Sequence, residues 1–170
     1  MVNFNFYIEE LNRNSKVFES LLNSIPAEQI IWKQEINKWN LLEIICHILD
    51  EEKEDFRLRL KLVLENPIIP FPSIDPQSWV TERGYGSQNF ENVISEFNKE
   101  RNNSVEWIRN LKAPKWDNAY NHPKVGPVSA KFLLANWVAH DYLHIRQITK
   151  LKYDYLMFIS NESLNYAGEW

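Results

Sequence analysis

The stretch 129-SAKFLLANWVAHDYLHIRQIT-149 decides which fold the sequence predicts. Ser129 is a favoured helix N-cap, and the residues that follow it repeat at helical spacing. His140 and His144 are four residues apart, so they lie on one side of such a helix, one turn from each other. Four large apolar residues lie near that side at about 100° per residue: Leu133, Trp137, Ile148 and Leu151. The pattern predicts a histidine pair that points into a protein core.

Three upstream segments show the same helical periodicity. The predicted helices cover about residues 3–24, 40–65, 87–112 and 129–160. The first three end beside prolines, because the residue before a proline avoids the helical region. Asn40 is the predicted N-cap of the second helix, and Ser87 or Asn89 that of the third. The sequence therefore predicts one all-α domain over residues 1–170, a four-helix bundle.

The connections between these helices are residues 27–38, 67–86 and 115–127. Residues 67–86 are rich in proline and longer than an ordinary connection, so this long loop between helices 2 and 3 is predicted to be ordered and functional. We expect it to cover one end of the bundle and to shape the entrance of a site. No strand-like alternation is found in any connection. The predicted inner face of the second helix consists of Leu41, Ile44, Ile48, Leu58 and Leu62.

Composition limits the class of protein. The net charge of −4 and the pI of about 5.6 provide no basic surface for nucleic acid. A single cysteine, Cys46, excludes an intrachain disulfide framework and is typical of a reducing compartment. The N-terminus lacks a signal peptide pattern, and no apolar run is long enough to span a membrane. We therefore expect a soluble cytoplasmic protein that acts on a small molecule.

The histidines suggest a metal site. The chain has four of them, and His47, His140 and His144 all fall mid-helix, on or beside apolar faces, whereas His122 falls in a loop. One histidine on an apolar face is more often a core residue bonded to a carbonyl. Three from facing helices of a bundle favour a metal, because imidazole binds zinc and nickel well. Three protein ligands with one open position are typical of catalytic zinc.

Other polar residues near these histidines have two interpretations each. Glu51 and Glu54 follow His47 by one and two turns, and each could bind the metal, orient a histidine or act as a base, or simply face solvent. Arg101 interrupts an apolar stripe, which favours a buried ion pair over an anion-binding role. Asp141 could orient a histidine or face outward. Gln147 shares the histidine face and could serve the site or bond to backbone.

A metalloprotease is a weaker interpretation of the same stretch. The spacing His-x-x-x-His occurs in metalloprotease helices, but that mechanism uses a glutamate directly after the first histidine as its base. Here that residue is Asp141, which is one methylene shorter. Cys46 lies about 100° around the helix from His47, so it is predicted to pack rather than to bind a metal.

Four segments in their order along the chain resemble the DinB superfamily, the DinB/YfiT-like metalloenzymes. They are Trp39-Asn-Leu-Leu-Glu-Ile-Ile-Cys-His47, Trp79-Val-Thr-Glu-Arg83, His122-Pro-Lys-Val-Gly-Pro-Val-Ser129 and Trp137-Val-Ala-His-Asp-Tyr-Leu-His-Ile-Arg-Gln-Ile148. They occur in the family's order across almost the whole chain. The tryptophan eight residues before the first histidine and the His-Asp-x-x-His-x-x-Gln pattern are the specific parts.

The resemblance implies an up-down-down-up four-helix bundle with a divalent metal, often zinc or nickel, on three histidines. His47, His140 and His144 match the ligand positions. It also implies frequent homodimers. Characterised relatives include metal-dependent transferases that use low-molecular-weight thiols such as bacillithiol or mycothiol, and a mycothiol-dependent isomerase. A shared fold does not determine the reaction.

Three hypotheses of different classes follow. In the first, the protein is a metal-dependent enzyme in which His47, His140 and His144 hold an ion that activates a thiol or water, with Glu51 or Glu54 as an orienting group or proton acceptor. In the second, the metal site is structural or sensory, and the bundle surface binds a partner. In the third, the protein is a metal-free helical binding module.

Overall fold

Four long helices dominate the computed structural model, which describes residues 3–170. The elements in chain order are α1 Phe4–Leu22, α2 Ala27–Ile31, α3 Leu41–Glu51, a π turn Glu52–Phe56, α4 Arg57–Glu65, α5 Pro76–Glu82, α6 Phe90–Arg109, β1 Ala119–His122, β2 Gly126–Ser129 and α7 Ala130–Ser160. The segments α3, π turn and α4 form one continuous rod, called the second bundle helix below. With α1, α6 and α7 it forms the predicted four-helix bundle, so the fold prediction is confirmed.

Contacts between the helices define the topology. Both α1 and the second bundle helix pack against α6 and α7. Residue numbers rise together along α1 and α7, where the pairs are Asn14 with Asp141 and Leu21 with Lys152. They also rise together along the second bundle helix and α6, where the pairs are Lys53 with Glu96 and Arg57 with Glu100. They run in opposite directions along the second bundle helix and α7, where the pairs are His47 with His144 and Glu52 with Trp137. The order of directions is therefore up-down-down-up, as the family resemblance implies.

Side-chain caps fix where the helices begin. The Asn40 side chain accepts from the amide of Glu43, and the Glu43 carboxylate accepts from the amide of Asn40, both at 2.9 Å. This capping box satisfies two amides that the first turn leaves without partners. Asn89, rather than Ser87, caps α6, and Ser129 caps α7. The starts of the helices that carry the histidines are thus determined locally by sequence.

The π turn changes which residues of the second bundle helix face the core. The predicted inner residues Leu58 and Leu62 are only partly buried, whereas Leu60 and Val63 are fully buried. A π turn holds an extra residue, which rotates everything after it by about 100° relative to a regular α-helix. The prediction was wrong after residue 52 because it assumed an uninterrupted α-helix.

All three connections contain secondary structure that the sequence interpretation did not predict, and the first of them, residues 27–38, contains α2. Residues 119–129 form an antiparallel hairpin in which Ala119 pairs with Ser129 and His122 with Gly126. Its strands have four residues each, too few to show a clear alternation. In the turn, His122 Nδ1 accepts from the amide of Lys124 at 3.2 Å. The predicted loop 67–86 contains α5, with Trp79 buried.

A layer of buried polar residues divides the core into two apolar clusters. One cluster includes Phe18, Ile44, Ile48, Phe97 and Ile148. The other includes Leu11, Leu60, Val105, Leu134 and Trp137. Between them, each bundle helix contributes buried polar residues, namely Asn14, Glu51, Glu52, Arg101, Ser104, Asp141 and His144. The three histidines lie at the same level of the bundle.

Arg101 is the centre of this polar layer. Its side chain is 1% exposed, and it donates to both carboxylate oxygens of Asp141 at 2.6 and 2.8 Å. It also donates to Glu52 Oε2 at 3.0 Å and to the carbonyl oxygen of Leu11 at 3.1 Å. Trp137 Nε1 donates to the same Glu52 oxygen at 2.9 Å. One guanidinium therefore binds three other helices, and Asp141 faces inward to a partner.

Replacement of Arg101 by methionine should lower the free energy of unfolding by about 3–5 kcal/mol, because it leaves two buried carboxylates without a counter-charge. The control is Arg109→Met, which removes an exposed ion pair and should cost less than about 1 kcal/mol. Urea unfolding followed by circular dichroism measures both.

A neutralised variant, Arg101→Met with Glu52→Gln and Asp141→Asn, tests whether the uncompensated carboxylates cause the loss of stability. It should regain part of the lost stability, because no buried charge is then uncompensated. Equal losses for Arg101→Met and Arg109→Met would show that the polar layer does not depend on the guanidinium.

Candidate metal centre

Three histidines meet where α3 faces α7. His47 comes from α3, and His140 and His144 come from successive turns of α7. Their ring centroids are 4.9 Å apart for His47 and His144, 5.5 Å for His47 and His140, and 4.3 Å for the α7 pair. One ring nitrogen from each lies within 4.8 Å of the others. The structure thus brings together the three residues that the sequence singled out, and His122 lies apart in the hairpin.

Hydrogen bonds determine which nitrogen of His144 faces the cluster. Its Nδ1 lies 2.8 Å from Gln147 Oε1, and because an amide oxygen only accepts, Nδ1 carries the proton. Its Nε2 then carries the lone pair and lies 3.0 Å from His140 Nε2. A partner that fixes the tautomer in this way is typical of metal-binding histidines. The sequence left two roles open for Gln147, and the structure shows its side chain bonded to a histidine of the cluster rather than to the backbone.

His47 is held by packing more than by hydrogen bonds. The Trp39 ring lies 4.8 Å from the imidazole centroid, which explains a tryptophan two turns before the histidine. The side chain is buried, and its Nδ1 has no hydrogen-bond partner among residues 3–170. Buried polar atoms are almost always bonded, so such an atom needs an explanation. The protein therefore does not satisfy every polar atom of this imidazole, as suits a histidine of a metal-binding cluster.

Burial keeps the histidines neutral. It lowers the pKa of His47 to about 3, with a smaller contribution from the charge of His144. It lowers the pKa of His140 to about 2, with contributions from His144, His47 and Arg101. The pKa of His144 is also lowered by burial, partly offset by the bond to Gln147. All three imidazoles are therefore in the form that binds metals.

Glu51 is the carboxylate of the cluster. Its side chain is buried, with Oε2 3.2 Å from His140 Nε2 and Oε1 3.9 Å from His47 Nε2. The pKa of Glu51 is raised to about 7, chiefly by burial and also by the nearby charge of Asp55, with Arg59 acting in the opposite direction. Glu51 thus lies within reach of two of the three imidazoles.

Glu54 lies outside the cluster. It accepts two hydrogen bonds from Arg83, at 2.7 and 2.9 Å, on the outer side of the second bundle helix. Glu54 lies within the π turn Glu52–Phe56, and its carboxylate binds Arg83 instead of lying on the histidine face, where regular helical geometry places it. Glu54 therefore does not belong to the histidine cluster. Cys46 is buried in the apolar cluster and not in the histidine group.

A cleft of about 630 Å³ reaches the histidines from outside. His140 and His144 form part of its wall, and the other lining residues include Gln34, Lys38, Trp39, Leu143, Arg146, Gln147, Lys150, Leu151, Asp154 and Trp170. The predicted entrance loop 67–86 contributes none of these residues, because it packs along the other side of α3 through Arg83 and Tyr85. The connector before α3, the outer part of α7 and the C-terminal segment shape the entrance instead.

The donor set fits a divalent metal ion. Two ligands of a tetrahedral zinc lie about 3.4 Å apart. The imidazole nitrogens lie within 4.8 Å of one another, and His140 Nε2 and His144 Nε2 are 3.0 Å apart, so shifts of about 1.4 Å or less produce that spacing. Neutral imidazoles, a fixed tautomer at His144 and a partner-free nitrogen at His47 all suit an ion. Three neutral ligands and one nearby carboxylate favour zinc or nickel over magnesium or calcium, which prefer oxygen.

Fold and site together define an up-down-down-up bundle with a three-histidine cluster at its centre. The model of the DinB superfamily matches residues 10–148, a span that includes all three histidines. The chain therefore belongs to the DinB superfamily.

Comparison with solved structures agrees on the fold. The chain is similar to YfiT from Bacillus subtilis, described as "a probable metal-dependent hydrolase with an unusual four-helix bundle topology". The TM-score is 0.79 at 15% sequence identity, and the match covers 89% of this chain and 88% of YfiT. No curated protein matches the sequence significantly. Within residues 3–170, every helix is too short or too polar to cross a lipid bilayer.

Proposed function

We propose that this protein is a metal-dependent enzyme in which His47, His140 and His144 hold a divalent ion, zinc or nickel. The observation that carries the proposal is the cleft that opens directly onto His140 and His144. A structural metal site is closed by protein ligands on all sides, whereas a catalytic site keeps a position accessible to small molecules. Three histidine donors beside an open cleft match the catalytic arrangement.

The reaction class follows from what such a site offers. A divalent ion on three imidazoles lowers the pKa of a bound water or thiol and so supplies a hydroxide or thiolate near neutral pH. Attack by water makes the enzyme a hydrolase, and attack by a low-molecular-weight thiol makes it a thiol transferase. The description of YfiT as a probable metal-dependent hydrolase supports the first possibility for a similar fold.

The chain's own residues have separate roles in this proposal. Gln147 accepts from His144 Nδ1 and so keeps Nε2 directed at the cluster. Trp39 packs against His47 and limits its ring rotation. Glu51 accepts the proton of the attacking group at Oε2, because this oxygen lies beside His140 Nε2 and forms no ion pair with an arginine or lysine among residues 3–170. The location proposed for such an enzyme is the cytoplasm.

Metal content tests the ligand assignment. Protein purified without a histidine tag should contain close to one divalent ion per chain by mass spectrometry, and the variant His47→Ala/His140→Ala/His144→Ala should contain none. The control His122→Ala changes the fourth histidine, which lies in the hairpin, and should keep the metal. Equal metal contents in the native protein and the triple variant would contradict the proposal.

Open coordination separates an enzyme from a structural or sensory bundle. The cobalt-substituted protein should change its visible spectrum when azide or a small thiol is added, because an exogenous ligand occupies the accessible position. A bound metal whose spectrum changes with neither azide nor the thiol would indicate a closed structural site.

Gln147→Leu should weaken zinc binding about 10–100-fold, because His144 loses the group that fixes its tautomer. Competition with a chromophoric chelator measures the affinity. The matched control is Gln34→Leu, which changes a glutamine of the same cleft that does not bond to a histidine. An unchanged affinity in Gln147→Leu would mean that packing alone orients His144.

Glu51→Gln should keep its metal but lower the turnover of p-nitrophenyl acetate by about 100-fold, the usual contribution of a positioned general base. The assay runs with and without an added low-molecular-weight thiol, which distinguishes the two nucleophiles. Glu54→Gln is the matched control and should retain activity, because its carboxylate pairs with Arg83 outside the cleft. Equal rates for the two variants would exclude Glu51 as the proton acceptor.

A further inference from the structure

The charge of the cleft differs from the charge of the chain. The chain has a net charge of −4, yet the cleft wall has three cationic side chains, Lys38, Arg146 and Lys150, and one carboxylate, Asp154. Lys150 pairs with Asp154, so these two charges offset each other. Within residues 3–170, Lys38 and Arg146 take part in no ion pair, in contrast to the neighbouring Lys33, which binds Glu43. Two cationic side chains of the cleft wall, Lys38 and Arg146, therefore have no ion-pair partner among residues 3–170.

An apolar wall accompanies this charge. Trp39, Leu143, Leu151 and Trp170 line the same cleft. The Trp170 ring packs 5.3 Å from Tyr153, with the Lys150 ammonium 5.9 Å from its centroid. Trp39 packs against His47, so the apolar surface continues to the histidine cluster. The cleft thus offers an apolar surface beside both its cationic groups and the candidate metal centre.

The size of the cleft limits what it can hold. Its volume of about 630 Å³ falls in the range of small-molecule sites, about 300–1,000 Å³. A small molecule with an anionic group fits this combination, because the arginine fork binds a carboxylate through two hydrogen bonds. Cleft walls of one charge also concentrate ligands of the opposite charge.

We propose that the substrate is a small organic acid whose apolar body packs on the tryptophan-lined wall, with its carboxylate on Arg146 and Lys38. Its reacting group then points toward the histidines. This inference rests on the proposed function, since it takes the histidine-lined cleft as the substrate site. It adds the substrate class and three residues that the sequence did not single out: Lys38, Arg146 and Trp170.

A pair of probes tests the charge preference. 2-Naphthoate and 2-naphthamide share the same fused rings and differ in charge, and calorimetry measures their binding to the full-length zinc-loaded protein. We expect 2-naphthoate to bind at least about tenfold more tightly, with an affinity that falls as salt screens the charges. The variant Arg146→Gln/Lys38→Gln should lose about tenfold in 2-naphthoate affinity and leave 2-naphthamide unchanged.

The control variant Arg109→Gln/Lys131→Gln makes the same change in net charge at residues outside the cleft and should bind both probes normally. Equal binding of the two probes, or a preference for 2-naphthoate that survives in Arg146→Gln/Lys38→Gln, would overturn the proposal.

The variant that lacks the three histidines separates this proposal from the metal proposal. A carboxylate can bind a metal directly, but in His47→Ala/His140→Ala/His144→Ala only the cationic wall can select 2-naphthoate. Selectivity that persists there and disappears when Arg146 and Lys38 are also changed supports the basic cleft, whatever the metal content. Selectivity lost with the histidines alone would overturn it and assign the anion to the metal.

Discussion

The bidentate ion pair between Arg101 and Asp141 is the contact on which the candidate site depends. It lies in the middle of the bundle, and through Glu52 and Leu11 the same guanidinium also holds the second bundle helix and α1. Asp141 is adjacent to His140, and Glu52 is adjacent to Glu51. The two helices that carry the cluster are therefore fixed at the residues next to it.

Stability alone does not account for such a network. Removal of a guanidinium and two carboxylates from water costs several kcal/mol per ion, and apolar residues of similar size often pack as well or better. An apolar core does not fix a unique register between two helices, because contacts between leucine side chains tolerate a shift along the helix axis. A bidentate ion pair such as that of Arg101 and Asp141 does not tolerate it. We infer that the polar layer fixes the height of α7 against α3, and with it the spacing of His47 from His140 and His144.

The sequence revealed those parts of the structure that depend on local pattern. Proline stops, asparagine and serine caps and the spacing of His140 and His144 lie within a few residues of one another, so they could be interpreted without tertiary information. The π turn could not be predicted from the sequence, because its extra residue shows only as a change in the phase of the apolar pattern between Ile48 and Leu60. Glu51 lies just before this turn and joins the cluster, whereas Glu54 lies inside it and pairs with Arg83. The cleft was missed for a related reason, since Lys38, Arg146 and Trp170 become neighbours only when three distant segments pack together.

Charge connects the buried cluster to the cleft in front of it. Three neutral imidazoles contribute no negative charge. A divalent ion held among them would therefore keep its positive charge, and only Glu51 would offset part of it. Thiolate ligands, in contrast, neutralise the ion and weaken its effect on a bound nucleophile. A positively charged centre in a low-dielectric wall stabilises an anionic nucleophile and attracts an anionic substrate. Lys38 and Arg146 extend that positive potential toward solvent in a chain that is acidic elsewhere. Neutral histidine side chains inside and the cations Lys38 and Arg146 outside thus both agree with the proposed reaction, in which a small anion meets a metal-activated nucleophile.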